Sequence, residues 1–327
     1  HVHHFYTRRN LWILACFLQK AEASRFRMQI GFLLTSFLVK TASKLHNIGL
    51  KKGNLNLAGA LPNTLYLPSS LAERNIPQLA ERKIPDIVHV FQIPNLEHSY
   101  SLGCQSATDI SLYENSIDYI FTDPPFGGNL MYSELNFLWE AWLRVFTNNK
   151  PEAIENKAQG KGPREYQELM EKCFAEYYRV LKPGRWMTVV FHNSQNRIWN
   201  AIQEAIMRAG FVIADVRTLD KKQGTFKQVT STTAVKQDLV ISAYKPNGGL
   251  EKRFQLEAGT EEGVWDFVRT HLRQLPVFVE KNGKAEVIAE RQNFLLYDRM
   301  VAFHVQRGVA VPMGAAEFYA GLKQRFP

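Results

Sequence analysis

The sequence is poor in cysteine. Cys16, Cys104 and Cys173 are the only three in 327 residues. None stands in a CxxC or Cys/His ligand spacing, which excludes a disulfide framework or a zinc knuckle, and no metal site is expected. Apolar runs are short. The best of them, Ile30 to Val39, carries Thr35 and Ser36 and falls below the roughly 18–20 residues that span a bilayer. No secretory signal is visible, so a cytoplasmic protein with no membrane association is expected. Internal repeats and low-complexity tracts are missing as well. The chain opens on His1 instead of Met, so a fragment, a processed product or a gene reading short of its start is expected.

What is present is ordinary globular composition. With 45% hydrophobic and 22% charged residues, the chain is neither a disordered tail nor a coiled coil. Forty Lys and Arg face thirty-one Asp and Glu, a formal net charge of +9. That excess suits a polyanionic partner.

Three stretches differ in pattern. Residues 1–84 read as a helical segment followed by an irregular insert. Leu11, Leu14, Ala15 and Leu18 recur at helix spacing, and Phe32, Leu33, Phe37 and Leu38 predict a second helix. Gly49, Gly53, Gly59, Pro62, Pro68 and Pro77 then punctuate residues 48–84 as loop. Residues 85–247 alternate strands and helices. Strands are predicted at Ile117–Thr122, Trp186–His192, Phe211–Val216 and Leu239–Tyr244. Helices are predicted after Ser133 and Ser194 as caps and over Pro163–Val180, with Lys182-Pro183-Gly184 as a stop. The order predicts an α/β sheet, mostly parallel, that ends in an antiparallel hairpin. Residues 248–327 read as a small α+β extension, with Asn282-Gly283 as a hairpin turn. Trp139 and Trp142 are expected in the core, and so are the cysteines.

The chemistry is concentrated in Asp123-Pro124-Pro125-Phe126-Gly127, at the carboxyl end of the strand Ile117–Thr122. In open α/β sheets that edge binds ligands. The residue types fit methylation of an exocyclic amine, whose lone pair is delocalised into its ring. The Asp123 carboxylate and the Pro124 carbonyl accept its two N–H bonds and so favour a tetrahedral nitrogen. Neither proline carries an N–H, which stiffens the turn. Phe126 offers a face for a base turned out of its stack, worth ~1–3 kcal/mol. Attack on a sulfonium methyl then needs no covalent enzyme intermediate.

These residues resemble the S-adenosylmethionine-dependent amino DNA methyltransferases, whose [D/N/S]-P-P-[Y/F/W] tetrapeptide follows their fourth strand. Thr108-Asp109, then Ser116-Ile117-Asp118 and TDPPF, match the family's spacing. Tyr178-Arg179-Val180-Leu181-Lys182-Pro183-Gly184 matches the approach to its fifth strand, and the two last strands match its closing hairpin. Phe5-Tyr6-Thr7-Arg8-Arg9-Asn10-Leu11 resembles a stretch of the large prokaryotic DNA methylases. The likeness covers about residues 100–246. It implies a Rossmann-like methyltransferase fold and S-adenosyl-L-methionine as cofactor. Cofactor contacts are implied at Thr108, Asp109, Thr122 and Asn10, with Asp109 on the cofactor's adenine amine. Catalysis is implied at Asp123, Pro124, Pro125 and Phe126.

One family feature is missing. The glycine-rich loop that holds the methionine part of the cofactor has no counterpart, since Gly248-Gly249 follows a strand but is read as opening no helix. The loop is expected upstream of His1 or on a partner subunit, and the sheet is then incomplete at its N-terminal side. Strand ends on the catalytic edge add Gly127, His192 and Asn193 as substrate contacts. The long loop Leu219–Lys236 adds Lys221, Lys222 and Lys227 toward DNA phosphates. No cysteine sits in the Pro-Cys context of carbon-5 cytosine methylation.

The expected function is site-specific DNA methylation, with adenine N6 favoured over cytosine N4. The alternatives are guanine-N2 methylation of tRNA, whose enzymes carry D-P-P-Y-G, and a DNA-binding remnant without catalysis.

Overall fold

The computed structural model describes the chain except for residues 40, 52–53, 62, 93–100, 193–195, 220–237, 276, 282–283 and 327. It divides into two compact units: His1–Gly103 with Met131–Asn149, and Cys104–Leu130 with Lys150–Pro327.

The first unit is mainly helical. Its helices are α1 (Arg8–Glu22), α2 (Arg27–Phe37), α3 (Ile76–Gln92) and α4 (Tyr132–Leu143). Thr7 caps α1 by accepting the Asn10 N–H at 3.2 Å, which satisfies one of the helix's orphan donors. Leu14, Leu33, Leu34, Phe37 and Ile76 form its core, with Trp139 and Trp142 packed against them. Both tryptophans therefore sit where the periodicity placed them. The Trp139 indole donates to the Thr35 carbonyl at 3.3 Å, and Trp142 stands edge-on to Tyr6. No described helix is long and apolar enough to cross a membrane.

Two local expectations are corrected here. Residues 48–84 are not an irregular insert. Strands β1 (His46–Lys51) and β2 (Asn54–Ala60) pair as an antiparallel hairpin, and α3 begins at Ile76. The prolines and glycines misled because their positions are harmless. Pro77 takes the first turn of α3, where its missing N–H has no partner to lose, and Gly49 simply pairs with Asn56 in the hairpin. Ser133 is not a cap either, because α4 starts one residue earlier, with Met131 at its N-cap.

The second unit carries a four-stranded sheet in the order β3–β4–β6–β5, with β3 (Ile117–Thr122), β4 (Leu181–Phe191), β5 (Val212–Leu219) and β6 (Asp238–Tyr244). β3 and β4 are parallel, and β6 runs antiparallel to both β4 and β5. Three of the four strands therefore share one direction, and the closing hairpin is antiparallel as predicted. Helix α5 (Pro163–Val180) leads into β4, and α6 (Asn196–Arg208) leads into β5. The expected cap of α6, Ser194, lies outside the described residues, as does the Asn282-Gly283 turn. Between α6 and β5, Gly210 has a φ of +102°, and a Cβ there would meet the Tyr178 ring at 3.0 Å. Only glycine fits that turn without strain.

Alternate residues of the sheet feed two cores. Met187, Val189, Phe191, Ile213 and Ile241 pack with Phe174, Ile202 and Ile206 of α5 and α6. On the other face Val212, Ala214 and Tyr244 pack with the C-terminal residues. Burying each large apolar side chain contributes about 1.5–3 kcal/mol. The C-terminal segment contains α7 (Gly248–Leu256), α8 (Glu261–Gln274), the hairpin β7 (Phe278–Lys281) and β8 (Lys284–Val287), α9 (Asn293–Gln306) and α10 (Ala315–Arg325). It packs directly on the sheet.

Gly248-Gly249 does open a helix, α7, contrary to expectation. Asn247 offsets the poor propensity of the glycines by accepting the Leu250 N–H at 2.9 Å, and Leu250 and Phe254 are buried in the second core. Tertiary burial outweighs local propensity here. Of the cysteines only Cys173 is a core residue; Cys16 and Cys104 are exposed. Small size and low polarity permit burial of a cysteine but do not impose it.

Candidate active site

β3 delivers the acidic turn to the carboxyl edge of the sheet. Asp123 is exposed, Pro124 is buried, and Pro125 and Phe126 are half-buried. The turn is held from three sides. The Tyr166 hydroxyl of α5 donates to the Pro125 carbonyl at 2.7 Å. The Glu155 N–H donates to the Gly127 carbonyl at 3.3 Å, and Gly127 takes a φ of +66° to present it. The Phe126 ring stands edge-to-face on Phe191 at 5.4 Å, at the end of β4. The Arg197 guanidinium meets the Glu155 carboxylate at 3.0 Å beside the same turn. A stiff dipeptide with three external restraints is a preorganised acceptor site.

β4 and β6 bring a second group to this edge. Their antiparallel register pairs Phe191 with Leu239, so His192 falls beside Asp238. The imidazole Nδ1 lies 2.9 Å from the Asp238 carboxylate, which is almost fully buried. The His192 ring is also 6.1 Å from Phe126. His192 thus joins Asp123, Pro124, Pro125, Phe126 and Gly127 in one place, as expected.

The remaining candidates have partners of their own. Thr122, the last residue of β3, has its hydroxyl 3.4 Å from that of Tyr177 on α5; burial raises the Tyr177 phenol above its usual pKa. Thr108 and Asp109 belong to a turn in which Ser106 accepts the N–H of both. The adjoining Ile110 is tied to the last turns of α5. Its N–H donates to Glu176 at 3.0 Å, and Arg179 donates to the carbonyls of Ile110 and Leu112. The Arg179 guanidinium pulls the Glu176 carboxyl down to a pKa of about 2. Asn10 lies in the first unit, buried, with its amide donating to Ala42 at 3.2 Å. Asn193, Lys221, Lys222 and Lys227 lie outside the described residues.

Tyr166, Glu155 and Asp238 were not singled out from sequence. Tyr166 reads there as one more apolar position of an amphipathic helix. Asp238 could have been found by pairing the two last strands against β4 and asking which residue faces His192.

Residues 117–284 match the family profile described as DNA methylase, a little over half of the chain. The chain belongs to the DNA methylase family. Methylases of this family use S-adenosyl-L-methionine as methyl donor. Among solved structures it is similar to TTHA0409 of Thermus thermophilus, assigned as a DNA modification methylase and solved with S-adenosyl-L-methionine. That likeness has 16% identity and a TM-score of 0.26, covering 44% of this chain and 54% of that one. It is also similar to a SAM-dependent methyltransferase of Methanosarcina mazei, at 14% identity and a TM-score of 0.27, covering 52% and 77%. The chain spans about half the length of the TTHA0409 structures it matches. No curated protein matches it.

The methylase motif fits the target-amine half of such a site, with an exposed carboxylate on a rigid turn. On the cofactor side, the Thr122 hydroxyl stands next to the motif at the end of β3. The strand–glycine–helix unit at Gly248 is no substitute for the family's loop. β6 runs opposite to β3, so Lys245, just beyond its end, pairs with Gly184 and Arg185 at the far edge of the sheet.

Proposed function

We propose that this methylase transfers a methyl group to the exocyclic amine of a flipped base in DNA, at adenine N6 in preference to cytosine N4. The observation that carries this reading is the exposed Asp123 carboxylate on a turn clamped by Tyr166, Glu155 and Phe191. Bound S-adenosyl-L-methionine would supply an electrophilic methyl group; Thr108, Asp109 and Thr122 are the residues assigned to hold it. The region 85–247 is the catalytic part and 248–327 the accessory part of this reading.

The chain's own residues do the following. Asp123 and the Pro124 carbonyl each accept one N–H of the amine; the Pro125 carbonyl is committed to Tyr166. Accepting both hydrogens withdraws the lone pair from the ring and points it outward. Asp123 then receives the proton that the alkylated nitrogen sheds, and its exposure lets the proton pass to water. Phe126 supports the base. His192, held by Asp238, turns its other ring nitrogen toward the base, with Nδ1–H on the carboxylate. The Cys173 thiol, pushed up to about 11 by burial, is no thiolate nucleophile, which agrees with direct transfer.

The test is methyl transfer from labelled S-adenosylmethionine to unmethylated duplex DNA and to tRNA transcripts. N6-methyladenine in digested DNA supports the reading. Label confined to tRNA guanine overturns it.

A further inference from the structure

A concave site lies in the C-terminal segment, built from residues outside the methylation motif. It is a cavity of about 490 Å³ between α8, α9 and α10. Its lining holds Arg269, Arg273, Arg291 and Lys323, with no carboxylate side chain among the described residues that line it. Asn293, the first residue of α9, stands at its wall, and Phe326 with three leucines forms its apolar part.

Ordinary helix chemistry accounts for these cations one at a time. Arg273 and Lys323 fall in the last turns of α8 and α10, where cations suit the helix dipole. It does not account for four of them converging on one hollow. Neither Arg273 nor Lys323 has an ion-pair partner among the described residues, and Arg269 reaches Asp266 only at 3.6 Å. Arg291 is fixed in place. Its guanidinium donates to the carbonyls of Leu272 and Leu275, each at 2.8 Å, which blunts the negative end of α8. The first-turn N–H groups of α9 add partial positive charge, and no acidic residue stands in that turn. The field reaches inward as well. Arg299 and Arg291 add to burial in holding His271 at a pKa of about 3.

We propose that this cavity binds phosphate, taking a phosphodiester group of the DNA backbone. The choice of backbone rests on the DNA reading above. The lining supports it too. Arg269, Arg273 and Lys323 are exposed, so they reach a chain running across the opening. Asn293 is the one uncharged polar side chain in the lining, too little to read base edges. Such a site positions a substrate without specifying sequence.

The experiment measures duplex binding by fluorescence anisotropy across a KCl series, for the unaltered chain and for Arg273→Ser/Lys323→Ser. Both positions are exposed and outside the proposed catalytic group, and thermal melting checks that the variant is folded. The expected result is an affinity loss of about tenfold, with a salt slope shallower by about one. Arg273→Lys/Lys323→Arg should restore both. A parallel calorimetric titration uses inorganic pyrophosphate and ATP. Unchanged duplex binding with lost pyrophosphate or ATP binding overturns the backbone assignment and makes the site one for a small phosphate compound. No change in either titration overturns the site altogether, and so does an unaltered chain that binds no duplex, pyrophosphate or ATP. Asp123→Ala serves as the separating control. Failure of the methylation reading appears in its methyl-transfer assay and leaves its salt slope as it was.

Discussion

Asp238 holds His192. The carboxylate oxygen and the imidazole Nδ1 are 2.9 Å apart, and the two come from adjacent antiparallel strands whose register places them side by side. Asp238→Asn keeps the volume and removes the charge that orients the ring. Activity is expected to fall about tenfold or more, mostly in kcat, with duplex affinity held. Steady-state kinetics check this; an unchanged kcat would leave the pair a purely structural contact.

Asp123→Ala is expected to abolish methyl transfer, a loss of at least about a thousandfold. Asp123 is exposed, so folding stability should stay within about 0.5 kcal/mol. Asp123→Asn keeps an acceptor oxygen but cannot take a proton, and should retain more activity than alanine. Methyl-transfer rates and urea melts on the same preparations separate catalysis from folding.

Tyr166→Phe removes the hydroxyl on the Pro125 carbonyl and leaves the ring in the core. The lost hydrogen bond costs about 1 kcal/mol of stability. The loosened turn should slow methyl transfer more than it weakens substrate binding. Equal stability to the parent would remove Tyr166 from the clamp.

Lys245 is buried beside the start of β4, where its ammonium donates to Asn115, Tyr178 and Leu181 at 2.7–2.9 Å. Burial lowers its pKa. Lys245→Met leaves three acceptors without their donor and should cost about 2–3 kcal/mol. Chemical denaturation at neutral pH measures it, with activity at low temperature unaffected.

His271 sets an acid limit on stability. It is fully buried, with Nδ1 2.9 Å from the Tyr244 hydroxyl, and burial holds its pKa at about 3 against an ordinary 6.5. The unfolded chain therefore binds the extra proton first. Stability is complete above pH 6.5 and declines as the pH falls from there toward 3, by about 1.4 kcal/mol per unit. His271→Gln should flatten the decline between pH 7 and 5. A decline of equal slope in the variant would assign it to other groups.

Much of this was legible in the chain itself. A short apolar run closed by Asp123 and two prolines is a strand that ends at a ligand edge, because prolines cannot continue a ladder and the acid cannot be buried alone. The periodicity of Pro163–Val180 and the alternation in β4 placed the core correctly, since burial imposes a period of 3.6 on helices and of 2 on strands. Tertiary structure decided the rest. Gly248-Gly249 became helical because Leu250 and Phe254 are buried there. Ile110 and Leu112 were tied to the end of α5 by Glu176 and Arg179, which spacing alone does not reveal. The pairing of His192 with Asp238 and the meeting of cations from α8, α10 and the turn before α9 join residues far apart in sequence. Such contacts exist only once register and packing are set, because no local pattern carries the distance between them.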